Sequence, residues 1–394
     1  MPTFYEFFAG GGMARAGLGA RWQCAFANEI DEKKAASYEA NWGKGALLVR
    51  DIAQVKHTDL PGLAELAWAS FPCQDLSLAG SGAGLKGGRS GMFWPFWRLM
   101  EALGKNGRAP SVIVLENVCG ALTSHDGKDF ASICKALSDE GYQFGAVVMD
   151  AVVFLPQSRP RLFVIGVRSD IEIPSALQLQ APAPLWHSRA LVDARGKLDS
   201  KLASKWIWWA MPSPRGSNVT LADLLENEPT GVSWHSTAET KRLLSMMSAL
   251  NLAKVCAAKS EGRRIVGAIY KRTRPNEKGV KVQRAEVRFD DVSGCLRTPI
   301  GGSSRQLIII VEGESVRTRL ISPRETARLM GLNNDYILPK TYNEAYHLTG
   351  DGLAVPVVRH LAKHIIEPII APANDARRPK IIRSRKAQQE CLVG

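Results

Sequence analysis

Cys73 stands in Phe71-Pro72-Cys73-Gln74, framed by a proline and an amide, after the apolar segment Leu63 to Ser70 and before a glycine-rich run. A thiol on so restricted a backbone can serve as a nucleophile once it ionises. Taken by itself a cysteine reads first as a packed core residue, because free cysteine is among the most buried residue types. Its companions must decide. Glu116 follows Ile113-Val114-Leu115, which puts a carboxyl group at the carboxyl edge of a buried strand, the edge where open sheets bind ligands. Gln157-Ser158-Arg159-Pro160-Arg161 leads into the apolar strand Leu162 to Gly166. Its two arginines, two residues apart, share one face and can pin an anion or a carbonyl oxygen.

The elements that must position these groups follow from the pattern of apolar runs. Thr3 to Phe8, Trp22 to Asn28, Ser111 to Glu116, Phe144 to Val148 and Leu162 to Val167 read as strands, and Glu32 to Asn41, Met92 to Leu103 and Lys128 to Glu140 show helical spacing. Such alternation predicts an α/β fold: a mainly parallel, Rossmann-like sheet with helices on both faces. From Pro174 the texture changes, with Pro182, Pro184, Pro212, Pro214 and Pro229 among tryptophan, arginine and glycine, which predicts a smaller irregular region. Helical order returns in Arg324 to Met330 and Ala354 to Ile366, the latter bringing the chain back to the first domain. The expected division is 1–170 with 319–370, then 171–318, then a basic, flexible tail over 371–394. Behind Cys73, the stretch through Gln74, Ser77, Gly80, Gly82, Gly84, Gly87, Gly88 and Gly91 is too rich in glycine for a rigid element and is suited to closing over a substrate.

At the other end of the same sheet, Phe8-Ala9-Gly10-Gly11-Gly12 follows the first strand and opens a helix at Met13. Glycine serves where backbone turns sharply and a ligand approaches closely. The dinucleotide spacing GxGxxG would need glycine where Arg15 stands, so a pyrophosphate cradle is not favoured. Glu29 closes the next strand, where it can accept from ribose hydroxyls, and Asp51 offers a second carboxylate for an adenine amino group. Glycine turn, ribose acid and adenine acid together suggest S-adenosylmethionine rather than NAD. Either carboxylate alone would equally cap a helix.

Composition sets the setting. The chain has 394 residues, a formal net charge of +13, and seven cysteines with no CxxC pair. The charge favours a polyanionic partner, nucleic acid first, and the cysteine usage argues against a disulfide framework or a zinc cluster. With neither a signal-peptide pattern at Met1 nor a long apolar run, a cytoplasmic, nucleoid-associated protein is expected.

Thiol, carboxyl group and arginine are the parts that methylation at carbon 5 of cytosine requires. That carbon is not nucleophilic until a thiolate adds to carbon 6 while a carboxyl group engages ring N3, and in a duplex the base must first leave the stack. The chain resembles the DNA (cytosine-5) methyltransferases over residues 3–168 and 295–366, through Phe8-Ala9-Gly10-Gly11-Gly12, Phe71-Pro72-Cys73-Gln74, Glu116-Asn117-Val118, Gln157-Ser158-Arg159-Pro160-Arg161 and Pro323-Arg324-Glu325. The resemblance implies Cys73 as nucleophile, Glu116 at N3, Arg161 on the cytosine carbonyl and Arg159 supporting thiol and base. It implies S-adenosylmethionine held by Phe8, Gly10, Gly11, Gly12, Glu29, Ile30, Asp51, Ile52 and Pro72, with Asp351, Gly352 and Leu353 from the last motif. Gln74, Ser77 and Asn117 would line the substrate side. Three positions depart from the family pattern: Glu6 for an aspartate, Met13 for a glycine and Asp351 for an asparagine.

The same resemblance places a target-recognition domain at 171–318, closed by Leu296-Arg297-Thr298-Pro299 facing the target base. Arg288, Arg297 and Arg305, with Thr298 and Gly301 among them, are the candidate DNA readers, against the alternative of a solvated face. Trp206-Ile207-Trp208-Trp209 reads as core. His360 and His364 lie four apart on a helix but without the companion glutamate of a zinc motif, and read as surface residues. The implied function is sequence-specific methylation of double-stranded DNA, of bacterial restriction-modification, phage or orphan type, with a cognate restriction endonuclease as a further partner. A transfer-RNA methyltransferase of the same fold and a catalytically disabled DNA-binding relative are the alternatives.

Overall fold

The computed structural model describes residues 1–72, 90–214, 216, 218–275, 279–298 and 304–371. Cys73, Gln74, Ser77, Gly301 and the basic tail beyond 371 lie outside the described residues, and so do the glycines expected to form a lid, except Gly91.

Seven strands form the main sheet: β1 (Thr3–Phe7), β2 (Gln23–Glu29), β3 (Leu47–Val49), β4 (Leu66–Ala69), β5 (Val112–Asn117), β6 (Tyr142–Asp150) and β7 (Pro160–Arg168). Their order is β3-β2-β1-β4-β5-β7-β6, with β7 antiparallel to both neighbours and the other pairings parallel. Every residue of β5 is buried, as expected of a strand covered on both sides. Alternation along the strands sends Phe4, Trp68, Val112 and Val114 into one core and Tyr5, Phe7, Ala69 and Ile113 into the other. The first core is closed by α1 (Met13–Leu18) and the second by α3 (Phe93–Lys105) and α4 (Lys128–Asp139), with α2 (Glu32–Trp42) following β2. The α/β sheet with helices on both faces is thus as the sequence reads. β3 and β4 were not anticipated as strands, because three and four residues are too few to carry a period.

The chain after β7 does not leave the sheet at once. β8 (Gln178–Leu179) and β9 (Trp208–Trp209), with α5 (Arg189–Gly196) and α6 (Ser200–Ala203), pack against edge strand β6, where Ile207 N–H donates to the Phe144 carbonyl at 2.8 Å. Gly145 permits this approach, since a Cβ there would lie 2.0 Å from the Ile207 carbonyl oxygen. Trp209 is fully buried, as expected of core.

Past α7 (Leu221–Leu224), α8 (Thr237–Ser245) and α9 (Ala249–Ser260) cover an antiparallel sheet of β10 (Arg264–Pro275), β11 (Lys281–Arg288), β12 (Leu307–Glu312) and β13 (Ser315–Leu320), ordered β11-β10-β12-β13. The expected irregularity therefore ends early. The proline-rich texture stops at Pro229, and the core formed by Leu243, Val255, Ile269, Val287 and Ile309 is built from residues beyond it. α10 (Pro323–Leu329), α11 (Tyr342–Asp351) and α12 (Val355–Leu361) return to the main sheet, with α12 packed on α1 and continued by a π-helical turn, Ala362–Ile366. His360 is half-buried rather than at the surface, between the rings of Phe154 and Trp186 at 5.2 and 5.6 Å. Among the described residues no group of three or more His, Cys, Asp or Glu could hold a metal, and no helix is long and apolar enough to cross a membrane.

Candidate active site

The turn between β1 and α1 is forced by its dihedrals. Phe8, Gly10 and Gly12 take φ of 57°, 55° and 77°, and the space beside Gly10 is open. A phenylalanine in the left-handed region is strained backbone of the kind that persists where the surroundings hold it. Gly10 N–H donates to Glu29 Oε2 at 2.7 Å, and the amides of Ile30 and Asp31 donate to Glu29 Oε1 at 3.0 and 2.9 Å. The carboxylate at the end of β2 is thus fixed by three amides and keeps one lone-pair position, on Oε2, for a further donor. Ile30 is exposed beside it. Asn28 donates to the carbonyls of Leu48 and Arg50, which sets the approach to Asp51, and Asp51 accepts from Ala53 N–H at 2.8 Å. Ile52 and Leu353 are packed into the two cores, so they shape the walls from behind. Beneath the turn, burial pushes the Glu6 carboxyl up to about 8 against the backbone amide of Arg15, and its Oε2 is buried without a partner.

Two strands from β1 in the sheet, β5 carries Glu116 next to its last residue, 8% exposed, whose Oε1 lies 3.2 Å from Arg161 Nε on β7. Burial raises the Glu116 carboxyl, outweighing Arg161, Arg159 and a hydrogen bond from Ser70. Asn117 next to it donates to the Phe71 carbonyl at 3.2 Å and accepts from Val118 N–H, tying the strand edge to the backbone that runs through Pro72 into the Cys73 segment. Arg159 is 2% exposed and acts as a clamp: Nη1 donates to the Leu296 carbonyl at 2.9 Å, Nη2 to the carbonyls of Gly350 and Gly352 at 2.9 and 2.6 Å.

Residues 2–367 match the family model described as C-5 cytosine-specific DNA methylase. The chain belongs to that family. As a DNA (cytosine-5-)-methyltransferase it is similar to the type II methyltransferase M.BsuFI of Bacillus subtilis, 26% identical over 93% of this chain and 73% of that one. It is likewise similar to M.HhaI of Haemophilus parahaemolyticus, 24% identical over 92% and 93% of the two chains. Among solved structures, the S. pombe Dnmt2 methyltransferase shares the fold at a TM-score of 0.56 with 19% identity, covering 95% of this chain and 100% of that one. The Entamoeba histolytica methyltransferase EhMeth does so at 0.61 with 14% identity, over 95% and 99%.

In this methylase the arginine pair faces a thiol that the sequence reading missed. Cys295 Sγ lies 3.3 Å from Arg159 Nη1 and 4.0 Å from Arg161 Nη2, and although burial opposes ionisation, the arginines hold the thiol below its ordinary value. The available signal was position: Cys295 immediately precedes the segment expected to face the target base. The candidate DNA readers part company. Arg288 is held in two contacts by Asp290 at 2.7 and 2.5 Å, and Arg305 is turned onto Asn343 and the Tyr342 ring, whereas Arg297 is exposed. Thr298 donates to Asp351, which also accepts from Lys34 at 2.8 Å.

Proposed function

We propose that the chain methylates carbon 5 of a flipped-out cytosine in a specific double-stranded DNA sequence, through a covalent Cys73 adduct at carbon 6. The observation that carries this reading is Glu116: a buried carboxyl group at the carboxyl edge of β5, raised toward its protonated form and set 3.2 Å from Arg161. A protonated carboxyl can hand its proton to ring N3 while the Cys73 thiolate adds to carbon 6. Arg161, anchored by Glu116, holds the cytosine carbonyl. Carbon 5, made enamine-like by the addition, takes the methyl group; its proton then leaves to a base, and elimination across carbons 5 and 6 releases the Cys73 thiolate.

S-adenosylmethionine supplies the methyl group when bound. The open space beside Gly10 and the amide-fixed carboxylate of Glu29 suit its ribose, and Asp51 its adenine amino group, with Phe8 at the turn. Arg159 orders the segment next to the base. The type II names of the relatives support a restriction-modification setting with a cognate endonuclease, and Arg297 with Thr298 directly follows Cys295 and Leu296, which touch the arginine pair.

Duplex DNA carrying 5-fluorocytosine at its methylation site should trap a complex stable to denaturing gel electrophoresis, because the fluorine cannot leave as a proton does. Cys73→Ser should abolish both the trapped species and methyl transfer while keeping most of the DNA affinity, which rests on phosphate contacts. Methyl transfer by Cys73→Ser at the parental rate would sink the covalent mechanism.

A further inference from the structure

With Glu29 read for the ribose and Asp51 for the adenine, the amino-acid end of the same cofactor is left to Asp351 and its neighbours in the last motif. That end is a zwitterion, an ammonium and a carboxylate on one carbon. A charge pair of matching kind lies nearby: Lys34 Nζ donates to Asp351 Oδ2 at 2.8 Å. Lys34 comes from the first turn of α2, five residues after Glu29, and Asp351 closes α11. Gly352, the next residue, packs so tightly on Met13 of α1 that a Cβ there would come within 2.2 Å of the Met13 sulfur. A Cβ on Gly11 would likewise come within 2.9 Å of Leu348, so the end of α11 that carries Asp351 packs against the glycine turn, and the charge of Glu29 reaches Lys34.

Neither partner is sealed away, with side chains 23% and 44% exposed. Asp351 has one oxygen on Lys34 and the other on the Thr298 hydroxyl, which leaves two of its four lone-pair positions for another donor. The lysine ammonium has three N–H groups, and Asp351 is the one hydrogen-bond acceptor it uses among the described residues. We propose that Lys34 and Asp351 form a split receptor for the zwitterionic end of the cofactor, Lys34 taking its carboxylate and Asp351 its ammonium. The pairing gives a reason for a carboxylate at position 351: its charge is compensated by Lys34 and used on the cationic half of the ligand. This inference rests on S-adenosylmethionine being the cofactor.

The test is binding, without turnover, of two ligands by isothermal calorimetry: S-adenosylmethionine, and its decarboxylated form, which keeps the ammonium and lacks the carboxylate. Lys34→Met keeps the stem of the side chain and removes only the charge. It should weaken S-adenosylmethionine by about tenfold or more, the loss of one charge-assisted hydrogen bond, and leave the decarboxylated ligand unchanged or tighter. Asp351→Asn should weaken both ligands. Equal loss of both ligands in Lys34→Met, or no loss of either, overturns the inference while leaving the cofactor reading intact. Failure of the unsubstituted chain to bind S-adenosylmethionine overturns both.

Discussion

Glu6 is a carboxyl group held far from its ordinary state. Its carboxyl group is 1% exposed, one oxygen accepts from Arg15 N–H, the other has no partner, and its proton is held to about 8 against 4.5 in an unfolded chain. Between those two values the folded protein binds the proton and the unfolded one does not, so stability is greatest at the acid end and declines as the pH climbs toward about 8. Glu6→Gln should remove that decline and gain on the order of a few kcal/mol at the alkaline end, read as a urea midpoint that no longer falls with pH. An unchanged pH profile would show that the carboxyl group is ionised in the fold. Glu116 and Arg161 were legible in the sequence because each ends or opens a strand of unbroken apolar residues, and β5 and β7 are neighbours. Cys295 and Lys34 were not, because their partners are 136 and 317 positions away and no local pattern links them.

Among the elements, the hinge between β13 and α10 carries the most concentrated interaction. Arg319 and Glu325 are 0% and 1% exposed and meet through two hydrogen bonds at 2.7 and 2.6 Å. Glu325 also accepts from Ser322 N–H, capping α10, and from Glu226 N–H, while the Trp234 ring lies 5.0 Å from the guanidinium. Pro323-Arg324-Glu325 was singled out by resemblance alone. Its physical reason is that one carboxylate ends a strand, starts a helix and fixes the chain before α8. Glu325→Gln leaves a buried guanidinium without its counter-charge and should cost about 3–5 kcal/mol in chemical denaturation; a loss below ~1 kcal/mol would mean the pair is dispensable. The antiparallel sheet that replaced the expected irregular region was only partly hidden: β11 intersperses charged with apolar residues, but Ile265 to Tyr270 of β10 and Leu307 to Val311 of β12 are unbroken uncharged runs that the sequence reading passed over.

For the molecule as a whole, the formal charge of +13 sets how it meets DNA. Binding to duplex without a methylation site should weaken steeply with salt, with log K falling linearly against log[salt] and a loss of about 10³-fold or more between 50 and 200 mM if six or more phosphates are contacted. Fluorescence anisotropy with a labelled duplex measures the slope, and a flat response would place the basic residues away from the nucleic acid. The fold class was legible because a doubly covered sheet demands uninterrupted apolar strands. How the second sheet attaches to the first was not, since the attachment is made by groups far apart in sequence.

Arg159 shows what that attachment demands of the chain. It reaches the segment after β11 and the end of α11 through the main-chain oxygens of Leu296, Gly350 and Gly352. Every residue type carries such an oxygen, so the clamp is blind to side-chain identity and sensitive only to the path of the backbone. Side chains around position 296 are therefore free to vary by substitution, whereas an insertion or deletion there would shift the carbonyl out of reach.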